Sequence, residues 1–196
     1  MAINLYRRHI RMKEDVGLYF LAIVPKRPLR DRIREIKIEF AEAYLSKASL
    51  RSPAHLTLHM PFQWKFDKEE LLFSAISTLV QKVNIFTIDL NGFGAFKPRV
   101  IYLNVIAPET LHELQQDLNR MMKREFNIFN ANWRDYPFNP HMTLAFRDLR
   151  PVNFDKAWKE NKDRVFTESF EADSLVLLKH NKKEWEIYRE FPFSKR

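Results

Sequence analysis

Two stretches of the chain set a threonine two residues after a histidine: His55-Leu56-Thr57-Leu58 and His141-Met142-Thr143-Leu144. In both, polar and apolar residues alternate, the period of a β-strand with one buried face. Histidine and threonine then share one face, and the apolar residues share the other. An unperturbed histidine has a pKa of about 6.5, so near neutrality one imidazole can be neutral while another is protonated. The neutral ring can take a proton from an attacking oxygen, and the protonated ring can give one to a leaving oxygen. Threonine hydroxyls beside them can hydrogen-bond the non-bridging oxygens of a phosphate, where charge develops in the transition state. Such a set needs neither a metal nor a covalent intermediate.

A metal reading of the first stretch fails on geometry. His55 and His59 stand at i and i+4, which would share a helix face as zinc ligands do. Pro53 and Pro61 bracket the segment and its alternation is that of a strand, so a helix is not expected. On a strand the two rings lie about 13 Å apart at about 3.3 Å per residue, beyond the reach of one ion. No metal site is expected, and His59 is a bystander. Position 145 of the second stretch, which matches it, is Ala145.

The elements that must position these residues can be read from periodicity. Leu18–Val24 is an apolar run suited to a buried strand, closed by Pro25 and Pro28. Leu29, Ile33, Ile36, Phe40 and Tyr44 recur at helical spacing. The spacing predicts a second helix from Phe66, capped by Asp67 with Glu70 as capping box, and a third with Thr110 and Glu113 in those roles. Strands are expected at 86–96 and 99–106, with a turn or bulge in Asn91–Pro98. A helix near 154–166 follows the second histidine stretch. One strand over 169–181 and a last one from Trp185 close the chain.

This order repeats. Strand, helix, histidine strand, helix beginning Phe-Asp-Lys, strand occurs twice, with Phe66–Lys68 and Phe154–Lys156 at nearly the same distance past each histidine. The repeat predicts an internal duplication: lobe 1 over about 17–97 and lobe 2 over about 98–193, related by a pseudo-twofold axis, with α+β or mixed α/β lobes. The two polar strand faces would meet in one cleft.

Composition narrows the classes. Only 3 glycines exclude glycine-rich phosphate loops, and the absence of cysteine excludes disulfides, thiolate nucleophiles and cysteine zinc sites. A net charge of +8 favours anionic partners such as nucleic acid or a phosphate-bearing substrate. The N-terminus lacks the apolar stretch of a signal peptide and no run is long enough to span a membrane, so a cytoplasmic protein is expected.

Paired histidine–apolar–threonine–apolar motifs in a duplicated chain resemble the two-histidine (2H) phosphoesterase superfamily. Within it, the resemblance is to the 2'-5' RNA ligase and RNA 2',3'-cyclic phosphodiesterase group. It runs from about Leu18 to about Phe193. "LYFLAIVP" resembles the opening strand of the family, "HLTLHMPF" and "HMTLAF" its two motifs, and "KPRVIYLNV" the strand that opens its second lobe. The resemblance implies an α+β fold with two mostly antiparallel sheets flanked by helices around a central cleft. It implies that His55 and His141 exchange base and acid roles while Thr57 and Thr143 hold the phosphate. The reaction would open a 2',3'-cyclic phosphate, or run in reverse to close a 2'-5' linkage, without cofactor, in a monomer acting on RNA or a cyclic nucleotide. A binding module of the same fold with little catalysis is the alternative. Many relatives carry an arginine where Phe146 stands. Arg147 follows it, and strict alternation places Arg147 on the opposite face. Arg99 and Lys97 are the other candidate cations, and Phe62 and Phe146 are candidate base-stacking rings.

Overall fold

The computed structural model describes residues 15–130 and 137–195. His9 and part of the loop before His141 lie outside them. Among the described residues, eight strands and four α-helices follow in the order β1 (Val16–Ile23), α1 (Leu29–Tyr44), β2 (Leu56–Lys65), α2 (Glu69–Val80), β3 (Phe86–Phe96), β4 (Val100–Ile106), α3 (Glu109–Phe126), β5 (His141–Ala145), α4 (Pro151–Asn161), β6 (Thr167–Ala172), β7 (Ser174–His180) and β8 (Trp185–Pro192). The order β1-α1-β2-α2-β3 recurs as β4-α3-β5-α4-β6, the repeat expected from the sequence.

All strand pairs are antiparallel, in the order β6-β3-β4-β5-β2-β1-β7-β8. The centre is thin: β2 and β5 join through Leu56 opposite Met142. The molecule is therefore α+β, with two four-stranded sheets meeting at the histidine strands. Each sheet has its own core. Leu56 and Leu58 pack with Leu72 and Ile76 of α2 and Leu114 and Leu118 of α3. Met142 and Leu144 pack with Ile33 and Phe40 of α1 and Phe154 of α4.

The elements therefore exchange between halves. A cut at 97/98 does not separate the sheets: β3 pairs with β4, and β7 pairs with β1. Helix α1 backs the sheet of β4 and β5, and α3 backs that of β1 and β2. The strand expected over 169–181 is likewise two strands in different sheets. It breaks at Asp173, whose carbonyl accepts the Phe193 N–H at 2.8 Å and whose carboxylate pairs with Lys26. These partners are remote in sequence, so the local apolar pattern could not show the break.

The capping expectations also change. Phe66–Lys68 forms a 3₁₀ turn, so α2 starts at Glu69 and Asp67 makes no side-chain cap bond. The tighter turn satisfies N–H groups that a cap would have served. Helix α3 starts at Glu109, with Thr110 already inside its first turn. The Asn91–Pro98 stretch is mostly strand, with a register slip at Gly92, whose φ of 68° suits glycine. The turn itself is Lys97–Arg99. No helix among the described residues is long and apolar enough to cross a membrane.

Candidate active site

Around the Leu56–Met142 pair, antiparallel stepping sets His55 opposite Thr143 and Thr57 opposite His141. All four share the face turned away from the helices. The two histidines are diagonal neighbours, a relation that sets residues about 7–8 Å apart with their Cβ atoms somewhat closer, and each ring is near enough for the charge of His141 to act on His55.

Each ring is held in the same way. His55 Nδ1 donates to the Pro53 carbonyl at 2.8 Å, and His141 Nδ1 donates to the Asn139 carbonyl at 2.8 Å. In both cases the acceptor lies two residues upstream, beside a proline (Pro53 itself, and Pro140). A proton fixed on Nδ1 leaves Nε2 as the basic atom of the neutral ring. Burial pushes His55 down to about 3, helped by the charges of Lys37 and His141 and opposed by the Pro53 carbonyl. Burial also lowers His141, against the Asn139 carbonyl. Both rings are thus neutral near pH 7 before an anion arrives.

Aromatic rings wall each histidine. Phe20 stands 4.8 Å from His55, and Trp185 stands 4.6 Å beyond Phe20. On the other side, Tyr102 and Phe96 each stand 5.0 Å from His141. The strand next to each threonine differs: Ala22 lies beside Thr57, and Tyr102 beside Thr143. Gly94 lets Tyr102 lie flat, since a Cβ there would come within 2.3 Å of its ring.

The remaining candidates separate. Phe62 is 7% exposed and packs into the core against Tyr19 and His59, so it offers no face to a base. Phe146 is half-buried with the Arg147 guanidinium 5.2 Å over its ring. Lys97 and Arg99 are exposed in the β3–β4 turn, next to Phe96 at the His141 rim. Arg147 escapes the expected alternation because β5 ends at Ala145 and the chain turns, with Arg147 at a φ of 59°. It reaches the neighbourhood of His180, which burial and the charges of Arg51 and Arg147 hold below its ordinary pKa. His180 follows Val176 and Leu178 on the Phe20 face of β7, with its ring 5.0 Å from Trp185.

His59 does not keep to the His55 face. The β1–β2 register slips beside Leu21, its partner, and the ring is 1% exposed and edge-on to Phe62. Sequence reasoning missed Tyr102, Trp185, His180 and Arg51. A β4 or β7 position is assigned to a face only once the register is known. Among the described residues no three histidine, cysteine or carboxylate side chains gather as metal ligands do.

Known proteins share this plan. The sequence model of the 2'-5' RNA ligase superfamily matches residues 25–184. A candidate phosphoesterase of Bacillus cytotoxicus is 23% identical over 178 residues, 89% of this chain and 96% of that one. Among solved structures, TT0787 of Thermus thermophilus superposes with a TM-score of 0.64 at 19% identity, over 90% of this chain and 97% of that one. Escherichia coli LigT complexed with 3'-AMP superposes with a TM-score of 0.63 at 21% identity, over 92% and 99%. At these identities the solved structures speak for the fold, and the match over 25–184 speaks for the family. The chain belongs to the 2'-5' RNA ligase superfamily, among the two-histidine phosphoesterases.

Proposed function

We propose that the protein is a metal-independent phosphodiesterase that opens a 2',3'-cyclic phosphate at an RNA end or on a nucleotide. The carrying observation is the matched anchoring of His55 and His141, each with Nδ1–H on a carbonyl two residues upstream and Nε2 without a hydrogen-bond partner among the described residues. In the hydrolytic direction one Nε2 takes a proton from water as its oxygen attacks phosphorus. The other histidine, protonated, gives its proton to the departing ribose oxygen as the P–O bond breaks. The product is a phosphomonoester, and the two rings end with their protonation exchanged. With a ribose hydroxyl in place of water, the same groups close a 2'-5' linkage. Burial alone disfavours the charged ring, and the negative phosphodiester restores it on binding. Thr57 and Thr143 would hydrogen-bond the non-bridging oxygens, a role supported by their sharing the face of the two histidines. A nucleotide substrate accords with LigT having been seen with 3'-AMP.

The test is turnover of an oligoribonucleotide ending in a 2',3'-cyclic phosphate, with excess EDTA. Activity should survive the chelator. His55→Ala and His141→Ala should each lower it by about 10²–10⁴-fold. Undiminished turnover in either variant overturns the reading, and binding without turnover by the unaltered protein favours the binding-module alternative.

A further inference from the structure

Lys37 sits on the buried face of α1 among Ile33, Ile36, Phe40 and Ala41, and is 2% exposed. A buried ammonium is costly unless its protons are matched. Lys37 has no carboxylate partner among the described residues. Its Nζ donates instead to three backbone carbonyls: Ser49 at 3.2 Å, Ser52 at 3.2 Å and Pro53 at 3.3 Å. An ammonium has three protons to give and a neutral amine only two, so the set fits the charged form. The last of these carbonyls is also the acceptor for His55 Nδ1, at 2.8 Å. One oxygen therefore ties the lysine to the catalytic ring. On the other side, no cation among the described residues hydrogen-bonds the Asn139 carbonyl that holds His141.

We propose that Lys37 is a positioning residue that makes the two histidines unequal: its ammonium clamps the Pro53 carbonyl on which the His55 ring hangs, and its charge disfavours a second positive charge there. His55 then enters hydrolysis neutral, as the base that takes the water proton. His141 has no such cation behind it among the described residues and takes the charge when phosphate binds, so it is the acid. This assignment rests on the phosphodiesterase reading; the clamp itself does not.

Among the described residues, the charged and titratable groups around the pair include Asp148, whose carboxylate accepts from the Lys47 and Ala48 N–H groups at the start of the turn. Arg34 stands on α1 itself, Arg51 ends the turn that supplies the Ser49 carbonyl, and His141 faces His55 from β5. Burial, followed by Arg34, pulls Lys37 down to about 7. The clamp is therefore best read on the acid side of neutrality, where the ammonium is intact.

The experiment follows the histidine rings by nitrogen NMR as a function of pH in the free protein. In the unaltered protein both rings should carry the proton on Nδ1 when neutral, and His55 should titrate below His141. In Lys37→Met the His55 midpoint should rise by about one pH unit, a tenfold gain in proton affinity, with His141 moving much less. Lys37→Arg, which keeps the charge, should hold His55 low. The acid limb of kcat/KM should move with the His55 midpoint and not with that of His141. An unmoved His55 in folded Lys37→Met overturns the proposal. If that variant does not fold, the unaltered protein still decides: His55 titrating at or above His141 overturns it. A protein that shows the expected order of midpoints but turns over no cyclic phosphate keeps the clamp and loses the phosphodiesterase reading instead.

Discussion

Around His141, the carbonyl that holds the ring accepts from no cation among the described residues; around His55, the matching carbonyl also accepts a hydrogen bond from buried Lys37. The walls differ too. Thr57 has small Ala22 beside it, whereas Thr143 has Tyr102, whose ring also covers His141. Duplication delivers two equal groups, but acid–base catalysis of one step needs one proton acceptor and one donor. On the Lys37 proposal, the inequality comes from outside the motifs, through a helix that backs the opposite sheet.

The sharpest way to break this comparison is to remove both rings. If His55 and His141 serve a single step in different roles, the double variant His55→Ala/His141→Ala should fall little below the worse single variant, itself down about 10²–10⁴-fold. A loss in kcat/KM equal to the product of the single losses would show two independent contributions and undo the paired reading. Next in size are the threonines. Thr57→Val and Thr143→Val keep shape and strand preference while removing a donor. Each should lower kcat by about 10²-fold, in the range known for one lost oxyanion donor. A change confined to KM would reduce the hydroxyls to ground-state contacts.

What is legible in the chain is what repeats locally. The His-x-Thr pairs, the helix stripes and the order of elements all rest on periods of two or 3.6 residues, and they stand in the structure apart from the strand over 169–181, which divides into β6 and β7. What is not legible depends on remote contacts. "REIKIEF" reads as an ordinary amphipathic helix with its lysine toward water. Lys37 is buried because the turn Ala48–Arg51 and the segment to Pro53 fold over it. Alternation misplaces Arg147 because the period of two stops where β5 ends, one residue before Phe146. Phe62 goes to the core rather than to a base because a strand pattern does not show which face the core will claim.

The smallest effect on activity is expected at His59, where the halves differ most plainly in residue type, since Ala145 stands in the matching place. His59 is 1% exposed, donates from Nδ1 to the Met60 carbonyl at 2.9 Å and packs edge-on to Phe62. Its role is therefore packing. His59→Ala should leave kcat/KM within a few-fold of the unaltered protein while lowering stability by about 1–3 kcal/mol, as cavity-forming substitutions do. Burial also lowers its pKa, which fixes the sign of a pH effect. The unfolded chain takes up the proton near pH 6.5 and the folded chain resists it, so stability falls as the pH drops below that value. His55 and His141 act in the same direction. Urea midpoints between about pH 7 and 5 should therefore fall less steeply in His59→Ala than in the unaltered protein. An activity loss comparable to that of His55→Ala would instead put His59 in the reaction, and the equivalence of the two histidine strands would have to be redrawn.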